Sequence, residues 1–93
     1  MRRIERTKAF KRDYQRVIDT SKHRDLDNLL PAILTLLATD TALPTKYVDH
    51  PLRREWKDYR DCHVKPDLVL IYRKPGDQVL QFVRLGSHSA LGS

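Results

Sequence analysis

Leu68-Val69-Leu70-Ile71-Tyr72 is a run of five largely apolar residues with no polar alternation. Successive side chains of a β-strand point to opposite sides, so such a run stays dry only as a central strand covered on both faces. The chain has 93 residues, enough for one domain built round one core, and residues 1–93 are expected to form a single domain. The cover for this strand must come from the same short chain.

Two helical stripes supply it. From Lys8 to Thr20 the residues Phe10, Tyr14, Val17 and Ile18 recur at helical spacing behind Thr7, a suitable N-cap. Leu26, Leu29, Leu30, Ile33, Leu34 and Leu37 form a second stripe, with Asp25 or Asp27 as cap. Starting that helix at Asp27 leaves Pro31 near its first turn, where a missing N–H breaks no internal bond. Ser21 to Arg24 is a short connection. Thr39 to Pro51 lacks periodicity and reads as an ordered loop.

Strand-like runs follow at Glu55 to Val64, Leu68 to Arg73 and Gln78 to Leu85, with turns at Val64-Lys65-Pro66 and Pro75-Gly76-Asp77. A strand at Arg2 to Arg6 completes the sheet. The expectation is an α+β domain of order β-α-α-β-β-β, with a helical hairpin packed on one face of a mainly antiparallel, four-stranded twisted sheet.

Eighteen Lys and Arg against 12 Asp and Glu give a net charge of +6, which suits an anionic partner such as a nucleic acid or an acidic protein. Met1-Arg2-Arg3 leads into charged residues, and no segment approaches the roughly 18 apolar residues of a membrane span, so a soluble, cytoplasmic protein without a membrane partner is expected. The single cysteine, Cys62, makes neither an internal disulfide nor a zinc site and reads as a small strand residue.

Residues able to do chemistry gather in the C-terminal half: His50, Asp61, His63, Asp67, Arg84 and His88. If Val64-Lys65-Pro66 is a three-residue loop, His63 and Asp67 close it as an opposed cross-strand pair, and the carboxylate favours the imidazolium. Arg84 shares the alternation of Leu80 and Phe82 and should project past the apolar layer. Gly86 lets the chain turn, so Ser87-His88 would bring a second imidazole to that sheet edge. His50 precedes Pro51 and is held by extended loop backbone. The tight helical spacings of zinc enzymes are absent, so neither metal nor cofactor is expected.

RNA cleavage asks for this set. The 2′-hydroxyl is its own nucleophile, so the protein need supply only a base, an acid for the leaving 5′-oxygen and cations for the phosphate, each proton-transfer partner contributing about 10²- to 10⁴-fold. Substrate positioning should lean on Arg12, Arg16, Lys22 and Arg24, on the first helix and its following connection, as candidate rRNA contacts.

Three segments resemble the YafQ branch of the RelE superfamily of type II toxins. They run from Leu43 to Leu52 (LPTKYVDHPL), from Trp56 to Tyr72 (WKDYRDCHVKPDLVLIY) and from Arg84 to Leu91 (RLGSHSAL), 35 of the 93 residues, in family order. The resemblance implies a microbial RNase fold, ribosome-dependent cleavage of mRNA in the 30S decoding site, and translation inhibition. It also implies a cognate ribbon-helix-helix antitoxin through which alone operator DNA is bound. By position, His50, His63, Asp67 and His88 match the family's acid/base residues and Arg84 its phosphate-stabilising arginine. Asp61, Leu68 and Leu91 fall among expected substrate contacts. Leu68 stands where many relatives carry Trp, which removes a stacking surface, and Gly92-Ser93 adds no further aromatic.

Three other functions compete. A gyrase-inhibiting ParE-like toxin shares the fold class but has no use for His50, His63 and His88. A non-catalytic RNA-binding module would bind without cutting, and a zinc hydrolase would be silenced by chelator. On ribosome-bound mRNA, His88 with Arg84 is expected on the leaving-group side, and His63 held by Asp67, or His50, at the 2′-hydroxyl.

Overall fold

The computed structural model describes residues 1–91; Gly92 and Ser93, noted above for lacking an aromatic, lie outside the described residues. The elements in order are β1 (Arg3–Arg6), α1 (Lys8–Ile18), α2 (Leu26–Ala38), β2 (His50–Pro51), β3 (Arg60–Lys65), β4 (Leu68–Arg73), β5 (Val79–Gly86) and a final turn of helix, α3 (His88–Leu91). They build one sheet in the order β1-β5-β4-β3-β2, antiparallel except where β1 runs parallel to β5. The α+β expectation holds, and the apolar run is the middle strand.

Thr7 begins the helical layer. Its Oγ1 accepts the Phe10 N–H at 3.0 Å, capping α1, and donates to the Val83 carbonyl at 2.7 Å, tying the cap to β5. α1 turns Phe10 and Val17 inward, and α2 turns in Leu26, Leu30, Ile33, Leu37 and Ala38. They meet Cys62, Val64, Leu68, Leu70, Tyr72, Leu80, Phe82 and Leu85 from β3, β4 and β5 in one continuous core. α2 closes with a Schellman motif. Asp40 takes the left-handed position, Thr41 N–H donates to the Leu36 carbonyl at 2.9 Å, and the Asp40 carboxylate is held by Arg2 and Lys74.

Several sequence expectations need correction. The sheet has five strands, because His50 and Pro51 pair with Asp61 and Arg60 inside the stretch read as loop. A two-residue edge strand is too short to show an alternation. The run from Glu55 to Val64 is a strand only from Arg60 onward; Arg54–Trp56 is a 3₁₀ turn, and Trp56 packs edge-on to Tyr59 with ring centroids 5.0 Å apart, so its aromatics serve a local contact. α2 starts at Leu26, which places Pro31 in its second turn and removes the bond that the Asp27 carbonyl would otherwise receive. The first helix ends at Ile18, and the last strand spans 79–86.

Two register defects shape the site. In the β3–β4 hairpin His63 opposes Val69 and Lys65 opposes Leu68, so Val64 is an extra residue and Pro66-Asp67 alone forms the turn. Between β4 and β5, Ile71 opposes Arg84 while Tyr72 opposes Phe82, which makes Val83 extra. The bulge moves the next core position from residue 84 to Leu85, which is fully buried, and turns Arg84 toward the strand edge. The alternation shared with Leu80 and Phe82 therefore stops one residue before Arg84.

Thr7→Ala removes both the cap and the tie to Val83. A loss of about 1 to 2 kcal/mol in denaturant unfolding is expected, with Thr7→Ser close to wild type; equal stability of all three proteins would show the cap to be idle.

Candidate active site

On the sheet face away from the helices, β4 presents Val69 and Ile71, buried but outside the helix-side core. The ladder sets polar residues round them. His50, Asp61, Ile71 and Arg84 lie in one cross-strand row, and His63, Val69 and Gly86 in the next. Past Gly86 the chain turns into α3 and brings His88 over His63, with Nε2 to Nε2 at 3.1 Å and the rings 5.0 Å apart. At that distance one nitrogen donates and the other accepts, so the pair presents one protonated and one lone-pair nitrogen.

Asp61 lies beneath the histidines. Only 1 % exposed, it has its Oδ1 2.7 Å from His50 Nε2, a charge contact without hydrogen-bond alignment that leaves this oxygen with no hydrogen-bond partner. Burial pushes its carboxyl above the ordinary range; the charges of His50, His88 and His63 oppose that shift, and Asp49 adds to it. This carboxylate feels all three imidazoles, which makes it the electrostatic centre of the cluster. Expected as a substrate contact, it is buried in this structure.

The expected His63–Asp67 pair is not formed. The bulge at Val64 puts His63 opposite Val69, while Asp67 sits in the turn, paired with Lys22 and held below the usual carboxylate range by that ammonium. Leu68 is likewise turned away from the histidines, buried in the helix-side core, because it follows the turn on the inward alternation. Leu91 is half-buried and packs where a Cβ on Gly86 would meet it at 3.4 Å. Arg12, Arg16, Lys22 and Arg24 are exposed. Cys62 is buried, its thiol pushed up to about 12, in keeping with the reading of a small strand residue.

Sequence reasoning missed the groups that hold these residues. Asp49 accepts from Tyr72 Oη at 2.6 Å and from Arg60 Nε and Nη2 at 3.3 and 3.2 Å, which pins the strand bearing His50 to β3 and β4. Tyr72 is pushed up by burial and by this carboxylate. Asp13, on α1, accepts from Arg84 Nε at 2.6 Å, Arg84 Nη2 at 3.2 Å, Arg16 Nη2 at 2.6 Å and the Leu85 N–H at 3.0 Å. Burial raises its carboxyl, but these donors together outweigh that and hold it low. The available signal was an aspartate between Phe10 and Val17 on an otherwise apolar stripe. Among the described residues, no helix is long and apolar enough to cross a membrane.

Comparison with known proteins places this arrangement. The mRNA interferase toxin YafQ of Escherichia coli strain B/BL21-DE3 is 45% identical over 91 residues, covering 97% of this chain and 95% of that protein. A crystal structure of the E. coli DinJ-YafQ complex superposes with a TM-score of 0.84 at 41% identity, covering 100% of both chains. A metal-bound toxin from Helicobacter pylori gives a TM-score of 0.82 at 41% identity, over 98% of this chain and 99% of the other. The model of the family described as "Bacterial toxin of type II toxin-antitoxin system, YafQ" matches residues 2–93. By sequence and by fold, then, the chain belongs to the YafQ family of bacterial type II toxins.

Proposed function

We propose that the protein is an mRNA endoribonuclease that acts on ribosome-bound message in the 30S decoding site, inhibits translation, and is silenced by a cognate ribbon-helix-helix antitoxin. The observation that carries this reading is the direct contact of His63 with His88 on the sheet face where His50 lies 2.7 Å from the buried carboxylate of Asp61. The E. coli relatives named mRNA interferase support the substrate class, and the DinJ-YafQ complex supports an antitoxin partner. Operator DNA would be reached only through that antitoxin, and the working compartment would be the cytoplasm, where ribosomes are.

Cleavage needs a proton removed from the 2′-hydroxyl and one delivered to the leaving 5′-oxygen. A histidine pair with one protonated and one free Nε2 offers both, once RNA enters and each nitrogen exchanges its partner for a substrate oxygen. In this proposal His88, beside the strand that carries Arg84, serves the leaving group, and His63 or His50 serves the 2′-hydroxyl. Arg84 steadies the phosphate as its charge grows. Asp67, bound to Lys22 at the turn, would act on RNA only after that ion pair opens. Lys22, Arg12 and Arg24 would contact rRNA or message backbone, and Leu91, folded on Gly86, would border the bound RNA.

His63→Ala and His88→Ala are each expected to slow cleavage of ribosome-bound mRNA by about 10²- to 10⁴-fold, read by primer extension. If both cut at the wild-type rate, the acid/base assignment fails. The charged form of buried Asp61 opposes folding at neutral pH, and that opposition fades as pH falls through its raised value. Asp61→Asn should therefore melt at or above the wild-type temperature at pH 7 while cutting about tenfold or more slowly; a lower melting temperature contradicts the burial argument. Protein stripped of metal by chelator and desalted should cut ribosome-bound mRNA in magnesium buffer at the untreated rate, because the RNA supplies its own nucleophile. Activity lost to chelator and restored by added metal would replace this chemistry with a metal-assisted one.

A further inference from the structure

Arg84 can steady a phosphate only if its guanidinium is held in place. Arg84 leaves β5 just after the bulge at Val83, at the edge of the strand beyond the end of β1. An arginine there would ordinarily sweep through solvent. Asp13 prevents this. It is 2 % exposed, and its two oxygens receive four donors: Oδ2 takes Arg84 Nε and the Leu85 N–H, and Oδ1 takes Arg84 Nη2 and Arg16 Nη2.

We propose that Asp13 is a positioning residue that holds Arg84 and Arg16 side by side as a single fork for the scissile RNA phosphate. The proposal rests on the nuclease reading above and extends it to the residues that aim the phosphate site.

Three observations carry it. The first is the division of labour on the carboxylate. Capping the free Leu85 N–H at the edge of β5 needs one oxygen and no charge, a task open to Asn; the second oxygen is occupied by arginines alone. The second is electrostatic. Two guanidiniums sharing Oδ1 repel each other, and a buried anion between them lets both stay, leaving one net positive charge and the unused N–H groups of both forks for an incoming oxyanion. Both remain reachable, with side-chain exposures of 34 % for Arg84 and 60 % for Arg16.

The third is place. Arg84 shares the cross-strand row of Asp61 and His50, two strand spacings or about 10 Å from Asp61 along the sheet. Arg16 lines a cleft together with Lys22, Gly86 and Ser87, the residue that precedes His88 in the chain. Arg84 therefore joins the row of the histidine cluster, and Arg16 a cleft that also carries Lys22. Arg16, expected from sequence as one of several rRNA contacts, belongs instead with the phosphate site.

The two roles leave different kinetic marks. An rRNA contact changes KM for programmed ribosomes, whereas a fork on the reacting phosphate changes kcat. Asp13→Asn keeps the size of the side chain and an oxygen for the Leu85 N–H but removes the charge. In single-turnover and steady-state cleavage of ribosome-bound mRNA, Asp13→Asn and Arg16→Ala should each lower kcat about tenfold to a hundredfold with KM within about twofold. Joined to Arg84→Ala, each should add less than about twofold to the loss that Arg84→Ala causes alone, because residues acting through one group are not additive. Asp13→Asn cutting at the wild-type rate, its loss undiminished beside Arg84→Ala, or an Arg16→Ala effect confined to KM would each overturn the proposal. If melting shows Asp13→Asn unfolded, the Arg16→Ala and Arg84→Ala cycle decides alone: a shared loss supports the fork, and independent multiplication refutes it. A wild-type protein that leaves message intact would sink the nuclease reading itself, whereas wild-type cutting with indifferent variants sinks only the fork.

Discussion

Leu68, Leu70 and Tyr72 face the two helices while Val69 and Ile71 face the other way, so β4 has no side left for water and must be flanked by β3 and β5 and covered twice. The helical hairpin fills the first cover with the apolar stripes of α1 and α2. The second side receives no helix of comparable size. It carries the histidine cluster and the short turn of α3, and polar chemistry therefore sits directly on a rigid apolar floor. Burial on that floor is what raises Asp61 and makes its neighbours' charges matter.

A regular sheet would not present these groups together. Val64 and Val83 are each one residue too many for their ladders, and each extra residue turns the side chains that follow it. The first separates His63 from Asp67 and leaves the imidazole free for His88. The second moves Arg84 out of the core alternation and into reach of Asp13. Both defects lie within a few residues of the histidine pair, and both are local costs in pairing that the packed helical face can bear.

Carboxylates that are buried, or half-buried as Asp49 is, recur as the means of aiming cations. Asp49 pins β2 through Tyr72 and Arg60, Asp61 gathers imidazoles, and Asp13 gathers guanidiniums. Each is an acidic residue in a chain of net charge +6, and each gives direction to positive groups that would otherwise spread apart on the surface. Membership of the YafQ toxin family and the proposed RNase chemistry fit this pattern, since a phosphate in transition needs positive charge that is already oriented when it arrives.

The amino-acid sequence by itself determined the class of fold, the central strand, the two helices and their inward faces, the Thr7 cap and the family. These follow from periodicity over many residues and from quoted motifs, signals that survive ignorance of any one contact. It also marked out His50, His63, His88, Arg84 and Asp61 as residues of interest. It did not reveal that Glu55 to Tyr59 lie outside the strand, that α2 starts before Asp27, or that two residues at 50–51 form a fifth strand, because short or irregular stretches carry no period. The partners of the polar residues were decided only by tertiary structure. A one-residue bulge reverses which side chains face each other, and it leaves no mark in composition or spacing. Asp13 meets Arg84 across 71 residues of chain, a pairing that exists only once α1 lies against β5.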